Sequence, residues 1–249
     1  LTVALTCPKV PELSTFLQAF VWMVLHLLAF NIQNQLFGVE EDKVSKPDRP
    51  FASGRISIAA GRRLHAAVVF VSVWYSVRHR LTWLSFVYAC VSTAYNEFGL
   101  AANPFLKNTM SAVGYLCYGW GVAHIVGKQQ PLSPTTTYAI LSSLCIFSFT
   151  GHASDFKDRS GDALMGRRTI PLILPARAAR GLLALAMAGS TYGLILLWSP
   201  PMLVGAAFVV LCFVTSFEFM TKHSEKDDRK SFVWYEVSFI AVKTGDLVD

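Results

Sequence analysis

Long apolar runs recur along this chain, broken by short polar stretches, and they leave little freedom over what it can fold into. Eight such blocks fall near residues 12–35, 64–78, 81–100, 108–127, 137–154, 180–199, 201–220 and 232–246. A helix needs about 20 apolar residues to cross a hydrocarbon core of about 30 Å. Most of the blocks approach that length, and the second and last are shorter. No alternation of apolar and polar residues persists, which argues against strands, and a chain crossing lipid must satisfy its own backbone hydrogen bonds. The fold class that follows is all-α: a multi-pass transmembrane helical bundle of about eight helices. Composition agrees, since 53% hydrophobic residues, 15% charged residues and a mean hydropathy of +0.43 exceed what a soluble domain carries. At 249 residues a single domain, 1–249, is expected.

Basic residues give the orientation. If the eight helices alternate in direction, seventeen lysines and arginines share the face that follows the first helix, and five lie on the other. The positive-inside rule makes the richer face cytosolic. The formal charge of +6 therefore sits mainly in cytosolic loops, facing lipid headgroups or an anionic substrate. A chain this apolar, without a recognisable binding module, is not expected to take a nucleic-acid partner. The five cysteines (Cys7, Cys90, Cys117, Cys145 and Cys212) have no metal-type spacing and read as packing residues. No cleavable signal peptide is evident, and the chain opens on Leu1, which leaves room for an upstream N-terminus.

Two acidic clusters follow directly on apolar blocks, and both fall on the cytosolic face. The first runs from Asn34 to Asp42 and the second from Asp155 to Asp162. Ionised groups at the ends of membrane helices are costly, so two such clusters point to a use. Asn34, Gly38 and Asp42 are spaced i, i+4, i+8, with Glu41 joining the stripe, and Asp155, Asp158 and Asp162 are spaced i, i+3, i+7. Each set lies on one helical face if the helix continues. Facing carboxylates repel unless a cation lies between them. Mg2+ suits the position, because it takes oxygen ligands, keeps waters and shares carboxylates with substrate phosphates. The expected metal ligands are Asn34, Glu41, Asp42, Asp155, Asp158 and Asp162. Lys46, Arg49, Arg167 and Arg168 are expected to bind the diphosphate oxygens, joined by Lys107. The bland alternative for each cluster is a solvated loop capping a helix.

The residues from Asn34 to Pro50, ending Lys46-Pro47-Asp48-Arg49-Pro50, resemble the first signature of the UbiA superfamily of intramembrane prenyltransferases. That signature reads Asn-Asp-x-x-Asp-x-x-x-Asp followed by Asn-Lys-Pro-x-Arg-Pro. Asp155-x-x-Asp158-x-x-Gly161-Asp162, leading to Gly166-Arg167-Arg168-Thr169-Ile170-Pro171, is similar to the second. The resemblance implies a nine-helix fold, with the family's first helix missing from this chain. It also implies two Mg2+ ions that hold a polyprenyl diphosphate and assist its ionisation to an allylic cation. Asn34, Asp42, Asp155, Asp158 and Asp162 then form the catalytic set. The lipid bilayer surrounds an integral membrane protein, in the endoplasmic reticulum if the source is eukaryotic. Aromatic faces such as Trp22, Tyr115, Tyr118 and Phe149 are candidates to shelter the cation, and ordinary packing is the competing role for each.

The sequence departs from the family at two kinds of place. Gln35 and Gly38 stand where the first signature has aspartates. The stretch Asn96–Ala102 lacks the Tyr-Pro-x-x-Lys-Arg run of members that prenylate aromatic acids. Three readings stay open on these residues. Prenyl transfer to an acceptor is placed first on family frequency, and cyclisation of farnesyl diphosphate, as in fungal membrane-bound terpene cyclases, is second. A transport or lipid-binding bundle using His26, His124 and Glu218 is third. The mixed-charge run Lys222–Arg229 reads as a solvated connector.

Overall fold

The structure is a computed structural model that describes residues 11–164 and 166–244, with side chains described to Ser238. Cys7 and Lys9 lie outside the described residues. Every regular element among the described residues is helical. α1 (Leu13–Phe37) and the short α2 (Val39–Ser45) lead to α3 (Ile58–Arg78), α4 (Thr82–Asn96), α5 (Pro104–Val126) and α6 (Pro134–Thr150). A 3-10 run, Gly151–Asp158, precedes the short α7 (Arg159–Leu164) and α8 (Ile170–Ile173). Then come α9 (Ala176–Trp198), α10 (Met202–Thr221) and α11 (Glu225–Thr244).

Eight of these helices run 15 residues or longer, and each overlaps one apolar block. Only three, α1, α9 and α10, are long and apolar enough to cross a membrane by length and composition. The expectation of about eight spans is corrected accordingly. α4 and α6 have 15 and 17 residues, short of the roughly 20 that a perpendicular crossing needs. α3 carries Arg62 and Arg63 near its start, and α11 begins in the charged run Glu225–Lys230.

Helix boundaries follow from local chemistry. Ser57 accepts the Ala60 amide at 3.2 Å to cap α3, and Asn103 Oδ1 accepts the Phe105 and Leu106 amides at 3.0 and 3.2 Å to open α5. α9 ends where Ser199 turns left-handed (φ 43) ahead of Pro200 and Pro201.

The described chain divides into two compact units. One comprises residues 2–101 and 113–141, the other 102–112 and 142–249, so α5 and α6 contribute to both. In the first unit α1 packs on α3 and α4. Trp22 is wholly buried beside Ala19, Leu81 and Ile125. Its indole N–H donates to Ser76 Oγ at 2.8 Å, and Ser76 also meets Ser85 Oγ at 2.6 Å. His26 lies 2.8 Å from both Ser85 Oγ and the Trp22 carbonyl. In the second unit α9, α10 and α11 pack in succession around Phe156, Leu183, Phe219 and Tyr235.

Large apolar side chains such as Phe20 on α1, Leu185 on α9 and Phe213 on α10 point outward, while Ser72, Ser76, Ser85 and Thr215 point inward. A soluble domain has the opposite arrangement. It suits a lipid surround, where close helix contacts rely on small and hydrogen-bonding residues because lipid gives apolar groups no reason to hide. Trp22 sits at the centre of one such contact. Trp22→Ala is expected to lower stability by about 3–5 kcal/mol, read as a fall in the thermal unfolding midpoint of the purified protein in detergent. Ser76→Ala should cost less, and equal midpoints for the two variants would contradict the packing assigned to Trp22.

Candidate functional site

The second acidic segment begins where α6 stops. Thr150 Oγ1 turns back to the Ile146 carbonyl (2.7 Å) and contacts the Tyr235 hydroxyl (2.9 Å). The chain then winds as a 3-10 helix to Asp158 before α7 resumes α geometry. The expectation of one continuous α-helical face is therefore corrected, although the outcome for Asp155 and Asp158 is similar. Residues three apart eclipse in a 3-10 helix, so these two remain stacked.

Asp155 is buried, and Lys107 Nζ, one turn into α5, donates to its Oδ1 at 2.5 Å. Asp162 is buried and pairs through Oδ1 with Arg167 at 3.2 Å. That pair depends on Gly166, whose positive φ (65) closes α7 and returns the Arg167 amide to the Asp162 carbonyl at 2.9 Å. The second carboxylate oxygens of Asp155 and Asp162 are buried and accept no hydrogen bond. Asp158 is half-buried, and its side chain makes no hydrogen bond or ion pair among the described residues. Burial pushes the Asp155 carboxyl above its ordinary range, Lys107 pulls it back, and the Asp162 and Asp158 carboxylates push it up again. Asp155 thus lies in the field of two neighbouring carboxylates, and a cation would relieve it.

The first cluster differs. α1 ends at Phe37 and α2 restarts at Val39, yet the Gly38 amide still bonds the Asn34 carbonyl (2.8 Å) and the Asp42 amide the Gly38 carbonyl (2.9 Å). The expected helix is broken at Gly38 while its hydrogen-bond rhythm carries through. Both Asp42 oxygens lie 2.9 Å from Arg49 Nη1, so a predicted metal ligand and a predicted phosphate-binding base are engaged with each other. Asn34 donates to Asn96 Oδ1 at 2.9 Å. Gln35 Oε1 is buried without a hydrogen-bond partner. Glu41 is half-buried, and Lys46 and Arg168 are exposed with no side-chain ion pair among the described residues. The two clusters belong to different units.

Sequence reasoning missed several polar residues. In the first unit Gln33, from α1, donates to Glu97 at 2.7 Å and accepts from Ser92 at 2.5 Å, stitching α1 to the end of α4. In the second, Asp228 and Arg180 form a fully buried pair at 2.7 and 2.9 Å, and Arg159 also reaches Asp228 at 2.9 Å. The run read as a solvated connector is therefore corrected: from Glu225 it forms the first turns of α11. A signal was present, because Ser224 and Asp227 form a capping box, with the Asp227 amide on Ser224 Oγ at 3.1 Å. Arg180, a charge inside an apolar block, likewise signalled a buried partner. Of the aromatics proposed to shelter a cation, Trp22 is locked in the packing described above and Phe149 is 69% exposed.

Among the described residues no three His, Cys, Asp or Glu side chains converge as a ready-made cage for a metal ion. Mg2+ does not require one, since it binds through one or two carboxylates plus waters and phosphates. The unpartnered buried oxygens of Asp155 and Asp162 beside Asp158 fit such an ion. The first cluster fits it less well, with Asp42 neutralised and two aspartate positions replaced. The glycine among those replacements is dictated by space, since a Cβ on Gly38 would lie 2.9 Å from the Asn34 carbonyl oxygen. Gly38→Asp, which restores the signature residue, is expected to cost about 1–3 kcal/mol and to lower the unfolding midpoint. An unchanged midpoint would show that the break between α1 and α2 yields freely.

Comparison with known proteins identifies the family. A profile described as the UbiA prenyltransferase family matches residues 1–241. A fumagillin beta-trans-bergamotene synthase of Aspergillus fumigatus is 39% identical over 235 residues, covering 94% of this chain and 81% of that protein. A diterpene cyclase of Hericium erinaceus is 24% identical over 247 residues, covering 94% and 76%. Among solved structures, a UbiA homolog from Archaeoglobus fulgidus superposes with a TM-score of 0.66 at 11% identity, covering 99% of this chain and 93% of that one. At that identity the likeness concerns the fold alone.

Proposed function

The chain belongs to the UbiA prenyltransferase family, and on that premise we propose that it is a Mg2+-dependent intramembrane terpene cyclase that converts farnesyl diphosphate into a cyclic sesquiterpene. The order of readings is reversed from the sequence expectation, which placed transfer to an acceptor first. Two relatives that match 94% of the chain are named as a beta-trans-bergamotene synthase and a diterpene cyclase. The absence of the Tyr-Pro-x-x-Lys-Arg run after Tyr95 supports the same order.

The observation that carries the diphosphate chemistry is the pair of unpartnered, buried carboxylate oxygens on Asp155 and Asp162 beside Asp158. Mg2+, when bound there, supplies positive charge that makes diphosphate a better leaving group. Lys107 and Arg167, already seated on these aspartates, are placed to share phosphate oxygens as they gain charge, and exposed Arg168 lies next in the chain. The C1–O bond of the substrate breaks with its electron pair leaving on the diphosphate. A distal double bond of the same chain then attacks C1, and the final cation loses a proton to the released diphosphate. Apolar surroundings keep water from the cation. In this reading Asn34, Glu41 and Asp42, with Lys46 and Arg49, are a weaker set of ligands for the same kind of metal and diphosphate group. On the same reading the protein crosses the membrane more than once, with both acidic clusters and the basic residues that follow them on the cytosolic side.

Membranes containing the protein, given farnesyl diphosphate and Mg2+ without any acceptor, are expected to release a cyclic hydrocarbon detectable by gas chromatography with mass spectrometry. Chelation of Mg2+ should abolish the product, and Asp158→Ala should lower turnover by about 100-fold. Full turnover by Asp158→Ala, or turnover that ignores chelation, would sink the proposal. Consumption of substrate only after an aromatic acceptor is added would instead restore the transfer reading.

A further inference from the structure

The second acidic segment is an eight-residue 3-10 helix, Gly151–Asp158. Such helices have poor hydrogen-bond geometry and rarely exceed 3–4 residues, so this one needs support from outside itself. The support comes from α9, α10, α11 and the loop between the last two, through Phe156 and Lys157 in the 3-10 run and Arg159 and Ser160 at the start of α7. Phe156 packs against Phe219 (5.4 Å between ring centroids) and lies 4.7 Å from the Arg180 guanidinium. Lys157 Nζ stands 3.8 Å from the centre of the Phe232 ring. Arg159 donates to the His223 carbonyl at 2.7 Å and pairs with Asp228 at 2.9 Å. The Ser160 amide and hydroxyl both donate to the Glu225 carboxylate, at 2.6 and 2.8 Å. Asp228 is itself gripped at both oxygens by Arg180, and neither side chain has access to solvent.

No step of the proposed reaction uses these contacts. Stability alone does not account for them well, because a buried ion pair replaced by apolar residues usually costs nothing. What they do is fix the register and height of the segment that carries Asp155, Asp158 and Asp162. We propose that Asp228, acting through Arg159, and Glu225, acting through Ser160, are positioning residues that set the affinity of the second acidic segment for Mg2+ and diphosphate without touching either. This inference rests on the reading of Asp155, Asp158 and Asp162 as the metal–diphosphate segment.

The test is Mg2+-dependent binding of a non-ionisable farnesyl thiodiphosphate to the purified full chain, measured by calorimetry. Asp228→Asn is unsuitable, since it strands two guanidiniums around a neutral group and threatens folding. Arg159→Met leaves the Arg180–Asp228 pair intact, and Glu225→Gln alters a half-buried contact. Each is expected to weaken analogue binding by about 10-fold with an unchanged unfolding midpoint, and Glu225→Asp should fall between Gln and wild type. Glu225→Asp decides between positioning and simple charge. It keeps the carboxylate but shortens its reach to Ser160, so weaker binding by this variant reports lost positioning. Wild-type or tighter binding by Glu225→Gln or by Glu225→Asp, with Asp158→Ala binding lost, overturns the positioning roles and leaves the site reading standing. Undiminished binding by Asp158→Ala removes the site reading and this inference together.

Discussion

Charge compensation at the ends of apolar helices is the constraint around which the rest of this structure is arranged. Buried carboxylates are expensive unless paired and hydrogen-bonded, and this protein holds Asp42, Asp155, Asp162 and Asp228 in that condition. Each is met by a cation: Arg49, Lys107, Arg167 and Arg180 respectively. The partners of Asp155 and Asp228 come from distant parts of the sequence, so satisfying those charges requires the helices to be in place. Polar chemistry thereby does at the helix ends what hydrophobic collapse does in a soluble protein. Between the ends, serines and threonines hydrogen-bond amid apolar packing, as at Trp22, Ser76 and Ser85, beside buried aliphatic residues such as Leu81 and Leu183.

The pairings are not equivalent. Asp42 gives both oxygens to one guanidinium nitrogen, whereas Asp155 and Asp162 each give one and keep the other buried and unpartnered. A closed ion pair is content as it stands. A half-satisfied carboxylate in a poorly solvated place is a standing invitation to a hard cation, and Asp155, whose carboxyl burial pushes upward, shows the electrical cost of leaving it so.

Much of this was legible in the sequence, and the parts that were not have physical reasons. Apolar blocks located all eight long helices, because 3.6-residue winding is the simplest way to hide a backbone in an apolar surround. They misjudged the ends. Ser57 starts α3 well before its apolar block, and the Ser224–Asp227 box starts α11 inside a charged run, since caps obey side-chain chemistry rather than hydropathy. Asp155 and Asp158 still share one helical face even though the winding there is 3-10 rather than α. A spacing of three stacks residues in both kinds of helix, so that part of the pattern was right for a partly wrong reason, and Asp162 lies four residues further on, in α7. The partners of Arg180 and Arg159 were beyond reach, because a contact across 48 or more residues leaves no trace in local pattern.

The inequality of the two signatures follows from the same accounting. The first signature has lost carboxylates at Gln35 and Gly38, the latter at a spot where the Asn34 carbonyl oxygen leaves no room for a Cβ without backbone adjustment. What remains there is Asp42, spoken for by Arg49, with Glu41 and two amide oxygens, those of Asn34 and Gln35. Neutral oxygens hold a divalent ion more weakly than carboxylates do, so the proposed function assigns the burden of binding to Asp155, Asp158 and Asp162. A segment carrying that burden on an intrinsically poor 3-10 turn has to be rigid, and its bracing by Phe219, Phe232, Asp228 and Glu225 is what that demand would select. The lost carboxylates of the first signature and the bracing of the second are, on this view, two consequences of how charge is distributed along the chain.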